Sequence, residues 1–227
     1  MKKVLNFLKT LRQSYFKKIN TNFFSQFGED RILLEILKPN FIKGFYVDVG
    51  CYHPKKHSNT YVLHKKGWSG INIDIEQNKI DVFNRMRPGD INILAPVSNE
   101  KKIIVVKKYQ DYGLGSKIER VTNKKNKDNY LETKTLDTII YNSKFRDKKI
   151  DLLSIDTEGS DLEVLLSLNF IKHRPNIIII ESHLSDIKRI LNSKIFIFLS
   201  KKNYKLRSWN FFSLIFVYKY STITRKR

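Results

Sequence analysis

Four residues able to accept a proton or hold an oxygen atom follow two apolar runs of the chain. Asp156 and Glu158 come directly after the run IDLLSI, and Glu181 and His183 come after the run NIIII. Such runs are typical of buried parallel strands, whose carboxyl ends meet at the sheet edge where ligands bind. We therefore expect the four side chains to converge at this edge, with His183 or Asp156 as a general base and Glu158 positioning a substrate.

A second acidic signal lies around residue 50. The segment GFYVDVGCYHP places Asp48 inside an apolar strand and Gly50 at the turn that follows, and Asp74 closes the next strand-like run, GINID. A dinucleotide site would need G-x-G-x-x-G after the first strand, and only Gly50 is present. One glycine turn flanked by two acids instead favours S-adenosylmethionine, whose amino-acid end needs a close backbone approach and whose ribose hydroxyls need a carboxylate. The alternative is that both acids only cap strands.

Apolar runs separated by helix-like segments predict an open sheet. The runs cover residues 45–49, 70–76, 91–97, 150–159 and 176–181, followed by a pair at 204–209 and 211–218. A helix is expected over residues 81–86, and the polar segment 109–129 is expected to be a loop over the cofactor side. The predicted fold is α/β, with a mostly parallel seven-stranded sheet, a C-terminal antiparallel hairpin and helices on both faces.

Six segments, in order and spacing, resemble the FkbM family of S-adenosylmethionine-dependent methyltransferases. They are SQFGED (25–30), VDVGCYHP (47–54), SNTYVLHKKGWSGINID (58–74), LDTII (136–140), IDLLSIDTEGSDLEVL (150–165) and RPNIIIIE (174–181). The resemblance covers residues 23–183 and is most specific in the SNTY…GW…G and IDTEG segments. It implies a Rossmann-like class I methyltransferase acting mainly on oxygen, commonly on hydroxyls of sugars or small natural products, and it leaves the acceptor unidentified.

The resemblance also locates the cofactor. Asp74 is expected to hold the ribose hydroxyls, with Asp48 and Gly50 near the methionine end. The expected cofactor contacts are Gln26, Asp48, Gly50, Cys51, Tyr52, Asn59, Asp74, Ile75, Pro96, Val97 and Asp156, and the expected catalytic set is Asp156, Glu158, Glu181 and His183. The function expected is O-methylation of a sugar, glycan or glycolipid precursor, as in polysaccharide biosynthesis.

A divalent metal is an alternative means of activating a hydroxyl. The catalytic set, together with His53 or His57, offers the oxygen and imidazole ligands that suit Mg or Mn. Tightly spaced ligand motifs such as H-E-x-x-H do not occur in the sequence. The metal-free mechanism is therefore preferred.

The composition limits the partners. The net charge of +21 arises from 43 Lys and Arg against 22 Asp and Glu. Lysine pairs are spread along the chain, which favours a solvated surface over a nucleic-acid groove. An RNA methyltransferase is the alternative function, although the fourth strand run ends in IDTEG rather than N/D-P-P-Y/F and a Pro-Cys nucleophile motif is missing. A non-catalytic scaffold is opposed by the joint presence of Asp48, Gly50, Asp74 and Asp156.

The chain is expected to comprise three parts: a basic amphipathic helix over residues 1–22, one methyltransferase domain over residues 23–220, and a frayed basic tail over residues 221–227. The helix either lies on an anionic membrane or packs on its own domain or on a second subunit, so the oligomeric state stays open. The single Cys51, and the lack of a secretion signal or a membrane-length apolar run, predict a cytoplasmic protein, peripheral to the inner face of the membrane if the helix binds lipid.

Overall fold

Ten strands and seven helices form within the residues that the structure describes. The computed structural model describes residues 23–41, 43–107, 117–120 and 130–225. In chain order, the strands are β1 (Phe45–Val49), β2 (Ser69–Asp74), β3 (Ile91–Leu94), β4 (Ile103–Lys107), β5 (Lys117–Arg120), β6 (Tyr130–Glu132), β7 (Leu152–Ile155), β8 (Ile177–Glu181), β9 (Tyr204–Asn210) and β10 (Ser213–Tyr218). The helices are α1 (Glu29–Ile36), α2 (Tyr61–His64), α3 (Gln77–Met86), α4 (Leu136–Tyr141), α5 (Asp161–Leu166), α6 (Ile187–Leu191) and α7 (Lys194–Lys201).

Seven of the strands form one mixed sheet. Its order is β3-β2-β1-β7-β8-β10-β9, with β3, β2, β1, β7 and β8 parallel and β10 antiparallel to both of its neighbours. The pair β9 and β10 is the expected C-terminal hairpin, so the predicted α/β fold with its mostly parallel seven-stranded sheet is confirmed. The winding of the chain reverses between β1 and β7, where a doubly wound sheet leaves a crevice for a ligand.

Alternate residues of the strands pack into separate cores on the two faces of the sheet. On one face, Phe45, Val47 and Val49 join buried residues of α4, α5 and α7. On the other face, Tyr46 joins buried residues of α1 and α2. Because helices cover both faces, β1 is buried along its whole length. Asp48 therefore carries its carboxyl group into a region from which bulk water is excluded.

A second sheet of three antiparallel strands has the order β5-β4-β6 and follows β3 in the chain. The loop expected over residues 109–129 is wrong for residues 117–120, which form β5 and pair with β4. Residues 108–116 and 121–129 lie outside the described residues. The β-branched run of β4, Ile103 to Val106, favours a strand that needs partners, and the short polar strand β5 supplies one of them.

The C-terminal residues are held against α1. Lys38 donates its backbone N–H to the carbonyl of Ile223 at 3.0 Å, and Arg225 donates its own to the carbonyl of Ile36 at 2.9 Å. The expectation of a frayed tail is therefore wrong for residues 221–225, because the apolar side chain of Ile223 is buried and anchors a polar segment. Residues 226–227 and the helix expected over residues 1–22 lie outside the described residues. Among the helices that the structure describes, none is long and apolar enough to cross a bilayer.

Candidate active site

A cavity of about 360 Å³ opens at the carboxyl ends of the parallel strands. Its walls come from the residues that end or follow β1, β2, β3, β7 and β8, on both sides of the point where the winding reverses. The volume lies within the range of roughly 300–1,000 Å³ that small-molecule sites occupy. All four residues of the expected catalytic set line this cavity, as do all of the expected cofactor contacts except Pro96.

Gly50 lets two strand ends meet beside the cavity. Its φ is +75°, and a Cβ atom there would collide with the backbone carbonyl of Asp156. The N–H of Gly50 donates to Ile73 at 2.9 Å, and the N–H of Asp156 donates to Val49 at the same distance. Glycine is therefore required by both the backbone conformation and the close approach, and the turn leaves main-chain atoms facing a ligand.

Asp74 is fixed at the end of β2. Its Oδ2 accepts the N–H of Tyr52 at 3.1 Å, its Oδ1 accepts the N–H of Glu76 at 3.0 Å, and Lys79 Nζ lies 3.7 Å away. Burial raises the pKa of Asp74, while Lys79 and the two N–H groups oppose that rise. The carboxylate is thus oriented before any ligand arrives, and its remaining lone pairs can accept hydroxyl hydrogens.

Asp48 occupies the neighbouring position in β1 and is 5% exposed. Thr60 donates its hydroxyl to Asp48 Oδ2 at 2.7 Å, and Ser154 of β7 also bonds to the carboxyl. Burial raises the pKa of Asp48, and the Thr60 hydrogen bond and the charge of Arg87 counteract the rise. The cavity therefore has one oriented carboxyl group at the end of β2 and a second inside β1.

A carboxylate and an imidazole lie in contact at the end of β8, where both line the cavity. Oε1 of Glu181 lies 3.1 Å from Nε2 of His183, and the two side chains are 10% and 59% exposed respectively. Glu158 completes a group of three whose potential ligand atoms lie within 4.8 Å of one another. A largely buried carboxylate thus stands behind an accessible imidazole, the arrangement in which a carboxylate orients a base.

Several acidic side chains lie close together in this region, and their proximity raises the pKa values of Asp156 and Glu181. The side chain of Asp156 is accessible from the cavity but is shielded from bulk solvent by the surrounding protein. This shielding raises the pKa of Asp156, and the negative charge of Glu181 raises it further. Burial raises the pKa of Glu181 to about 7, with further contributions from Asp161 and Glu158. Since two adjacent carboxylates repel each other, Asp156 and Glu181 titrate as a pair, and the pKa values of both are raised.

The turn after β7 is organised by an aspartate that the sequence interpretation did not single out. Asp161 accepts hydrogen bonds from the N–H of Thr157 at 2.9 Å, from the Thr157 hydroxyl at 3.1 Å and from the N–H of Gly159 at 3.2 Å. Glu158 lies between these donors with a φ of +52°, a conformation that costs energy for a residue with a side chain. Asp161 therefore holds Glu158 in a strained conformation beside the cavity.

Three residues named from the sequence do not contribute as expected. Pro96 does not line the cavity, because its carbonyl accepts the N–H of Lys134 at 2.9 Å and the chain turns toward the smaller sheet. His53 Nδ1 accepts the N–H groups of Lys55 and Lys56, both at 3.0 Å. His57 lines the cavity, but neither histidine belongs to the three-residue group that could hold a metal.

Three phenylalanine rings lie next to the three-residue group that could hold a metal. We call these rings, Phe27, Phe211 and Phe212, the aromatic wall. Phe27 stacks on Phe211 with centroids 5.0 Å apart, and it meets Phe212 edge-on at 5.6 Å. The Phe212 ring lies 5.0 Å from the His183 ring and lines the cavity. Two consecutive Phe residues in a hairpin turn, where polar residues are usual, are the signal that could have identified the wall from sequence.

Residues 48–206 match the Methyltransferase FkbM domain. The chain belongs to the FkbM methyltransferase family. This FkbM protein also aligns with the crystal structure of a TehB-like SAM-dependent methyltransferase from Corynebacterium glutamicum ATCC 13032 Kitasato, at 12% identity and a TM-score of 0.43 over 95% of this chain and 97% of that chain. None of the curated proteins matches it.

Family membership makes this protein an S-adenosylmethionine-dependent methyltransferase. The cavity suits that cofactor. Asp74 has a carboxylate that can accept hydrogen bonds from hydroxyl groups, Asp48 and Gly50 line the neighbouring part of the cavity, and Ala95 and Val97 form an apolar part of its wall.

Proposed function

We propose that this FkbM methyltransferase methylates a hydroxyl group of a sugar, glycan or glycolipid precursor. The observation that carries the proposal is the contact of 3.1 Å between Glu181 and His183 at the cavity that suits the cofactor. When bound, S-adenosylmethionine supplies an electrophilic methyl group. A hydroxyl oxygen is a poor nucleophile at neutral pH, so the protein must provide a base for its proton.

The Glu181 and His183 pair supports a specific path for that proton. A neutral His183 that donates its Nε2–H to Glu181 keeps the lone pair on Nδ1, and Nδ1 accepts the hydroxyl proton. Glu181 then stabilises the imidazolium that forms. Asp156 contributes as a neutral neighbour of Glu181, and Glu158 positions the acceptor from the strained turn. Since the reacting groups must be aligned, these contacts also keep the hydroxyl oriented toward the methyl group.

The aromatic wall supports a sugar ring as the acceptor. Phe211 and Phe212 are 69% and 41% exposed, yet the turn that carries them is fixed. Asn210 donates its side-chain N–H to the carbonyl of Phe27 at 2.6 Å, and Trp209 donates its indole N–H to the carbonyl of Phe211 at 2.7 Å. A pyranose offers an apolar face that packs on such rings and hydroxyls that bond to carboxylates, and the wall and Glu158 supply both kinds of partner.

A divalent metal is the alternative means of activating the hydroxyl. The observation in its favour is the spacing of Glu158, Glu181 and His183, whose ligand atoms lie within 4.8 Å of one another. Oxygen and imidazole ligands of this kind suit Mg or Mn. We prefer the metal-free path because the contact between Glu181 and His183 already orients a base.

We also propose that residues 1–22 bring the enzyme to anionic lipid on the cytoplasmic side of a membrane. Val4, Leu8 and Leu11 recur at helical spacing opposite Lys2 and Lys9. This placement would bring the cavity close to glycolipid precursors. Sedimentation with anionic vesicles should retain the full chain and lose a chain that begins at residue 23, and equal binding of the two would contradict the placement.

The function can be tested with labelled S-adenosylmethionine. Purified protein is incubated separately with nucleotide sugars, glycolipid extracts and total RNA, and His183→Ala serves as the inactive comparison. We expect incorporation into a sugar or glycolipid fraction that requires His183. Incorporation at a defined RNA position would instead establish the alternative, an RNA methyltransferase, which the net charge of +21 favours.

A further inference from the structure

Arg87 is a fully buried cation that the proposed reaction does not use. It directly follows α3 and has 0% exposure. Its Nη1 donates to the hydroxyls of Tyr46 at 3.1 Å and Thr60 at 2.9 Å, and its Nη2 donates to the hydroxyl of Ser58 at 3.0 Å and to the carbonyl of Pro54. Burying a guanidinium group is costly unless its donors are satisfied, and these four contacts satisfy Nη1 and Nη2, while Nε has no hydrogen-bond partner among the described residues.

Two hydroxyl groups connect Arg87 to two buried acids. Tyr46 accepts from Arg87 and donates to Asp90 Oδ2 at 2.5 Å. Thr60 accepts from Arg87 and donates to Asp48 Oδ2 at 2.7 Å. Hydrogen bonds in such a chain polarise each other, which makes each hydroxyl a stronger donor to its carboxylate. We call the hydrogen bonds through Tyr46 to Asp90 the Tyr46 arm, and those through Thr60 to Asp48 the Thr60 arm. The Tyr46 arm ends away from the cavity, whereas the Thr60 arm ends at a carboxyl group that lines it.

The same guanidinium group supports the cofactor loop, which we define as residues 51–60. Pro54 and Ser58 accept hydrogen bonds from Arg87, and Tyr52 and Asn59 line the cavity. Asn59 donates to the Ser154 hydroxyl at 3.2 Å, so the loop is also tied to β7. Arg87 thus contacts a segment that also lines the cavity.

We propose that Arg87 is a positioning residue for S-adenosylmethionine, acting through Thr60 on Asp48 and through Pro54 and Ser58 on the cofactor loop. The inference rests on the proposed placement of the methionine end of the cofactor at Asp48. There an ionised carboxylate would hold the ammonium group of the cofactor, and the loop would supply the adjoining wall of the site. Arg87 itself does not line the cavity, so its effect on binding is transmitted by these neighbours.

The groups around Asp48 predict how this role responds to pH. Burial raises the pKa of Asp48, and the nearby charge of Asp74 on β2 adds to the rise. Thr60 from the loop, Arg87 from the end of α3 and Ser154 from β7 all lower it. Removing the Thr60 hydroxyl therefore raises the pKa of Asp48 further. Because binding needs ionised Asp48, the affinity for S-adenosylmethionine should then begin to fall at a higher pH than in the wild type.

Calorimetric titration with S-adenosylmethionine between pH 5 and pH 8 tests this role without turnover. Thr60→Val removes the hydroxyl at nearly constant volume, and Thr60→Ser keeps a hydroxyl at this position. Arg87→Lys keeps the positive charge but loses the planar guanidinium group that donates in several directions. We expect Thr60→Val to bind about tenfold more weakly at neutral pH, with its midpoint moved to higher pH, and Thr60→Ser to recover both. Arg87→Lys should also bind more weakly, because one ammonium group cannot serve the Thr60 arm and the loop together.

Tyr46→Phe is the matched control, since it breaks the arm that ends at Asp90. It should lower the melting temperature and leave the pH midpoint of cofactor binding in place. A uniform loss of affinity in Thr60→Val at every pH, or wild-type binding, would overturn the inference. Asp48→Asn separates the two proposals. Weak binding by Asp48→Asn beside normal binding by folded Thr60→Val and Arg87→Lys refutes only the role of Arg87, whereas normal binding by Asp48→Asn refutes the placement on which that role depends.

Discussion

Oε1 of Glu181 and Nε2 of His183 lie 3.1 Å apart, although the first side chain is largely buried and the second is mostly exposed. In the mechanism that we propose, this difference gives the two residues different tasks. The buried carboxylate is held at the end of β8, and the imidazole reaches into the part of the cavity bordered by Phe212. A fixed acceptor thus orients a group that a substrate can contact, which is the requirement for a general base.

His183→Ala should lose roughly 10²- to 10⁴-fold in kcat, because the hydroxyl proton loses its acceptor, while affinity for S-adenosylmethionine persists. His183→Gln keeps a hydrogen-bonding side chain without a base and should be equally impaired. Both variants and the wild type are assayed with chelator present, where the wild type should remain active. Loss of wild-type turnover in chelator, with recovery on adding Mg or Mn, would establish the metal mechanism. Full activity of His183→Ala in chelator would contradict both mechanisms.

Asp156→Asn should retain most of the wild-type kcat, because asparagine resembles the protonated acid that Asp156 is expected to be beside Glu181. Glu181→Gln should lose roughly 10²-fold or more, since it cannot stabilise the imidazolium. Glu163→Gln, on α5 and outside the cavity, is the matched control and should behave as the wild type. A loss in Asp156→Asn as large as that in Glu181→Gln would instead identify Asp156 as the base.

The rate at saturating substrates should fall as the pH drops through about 7, the value to which burial raises the pKa of Glu181. Below that pH the carboxyl group is neutral and no longer accepts the imidazole N–H, so the ionised form is the active one. A profile of kcat against pH measures the effect. The acidic limb should shift in Glu181→Gln, and an unchanged limb in that variant would assign it to another group.

Asp74→Ala should weaken the binding of S-adenosylmethionine about tenfold or more, because a carboxylate that accepts ribose hydroxyls is lost. Asp81→Ala, on the adjoining helix α3, is the control for charge and should bind normally. Calorimetry on folded proteins gives both affinities. Since Asp74 also accepts the N–H groups of Tyr52 and Glu76, circular dichroism must show that the variant retains its fold. Unchanged affinity would refute the placement of the ribose at Asp74.

The sequence predicted those parts of the protein that depend on local pattern. The apolar runs at β1, β2, β7 and β8 identified buried strands, and the acids that follow them all line one cavity because parallel strands end at the same edge. The final hairpin was also predictable, since β9 alternates between buried and more exposed residues and β10 is a continuous apolar run that is buried. The smaller sheet was not, because a strand such as β5 depends on its pairing with β4 more than on its own residues.

Residues that act through long-range contacts could not be predicted from the sequence. Arg87 sits in the segment RMRPGD, where its neighbour Arg85 is exposed and nothing local distinguishes the two. Its burial follows from the packing of α3 against the cofactor loop, with the ring centres of Phe83 and Tyr61 5.1 Å and 5.6 Å from the guanidinium carbon. Asp161 likewise resembles an ordinary helix-start acid, and only the folded turn shows that it restrains Glu158.

The chemical nature of the methylated product tests the central claim most directly. Labelled product formed from S-adenosylmethionine is treated with mild alkali, with ribonuclease and with glycosidic hydrolysis, and the labelled fragment is then identified. A methyl ether on a sugar hydroxyl survives alkali and ribonuclease, so we expect the label to be recovered as an O-methylated monosaccharide. Release of the label as methanol by mild alkali, which indicates a methyl ester, or its conversion to nucleotides by ribonuclease, which indicates RNA, would contradict methylation of a hydroxyl on a sugar, glycan or glycolipid precursor.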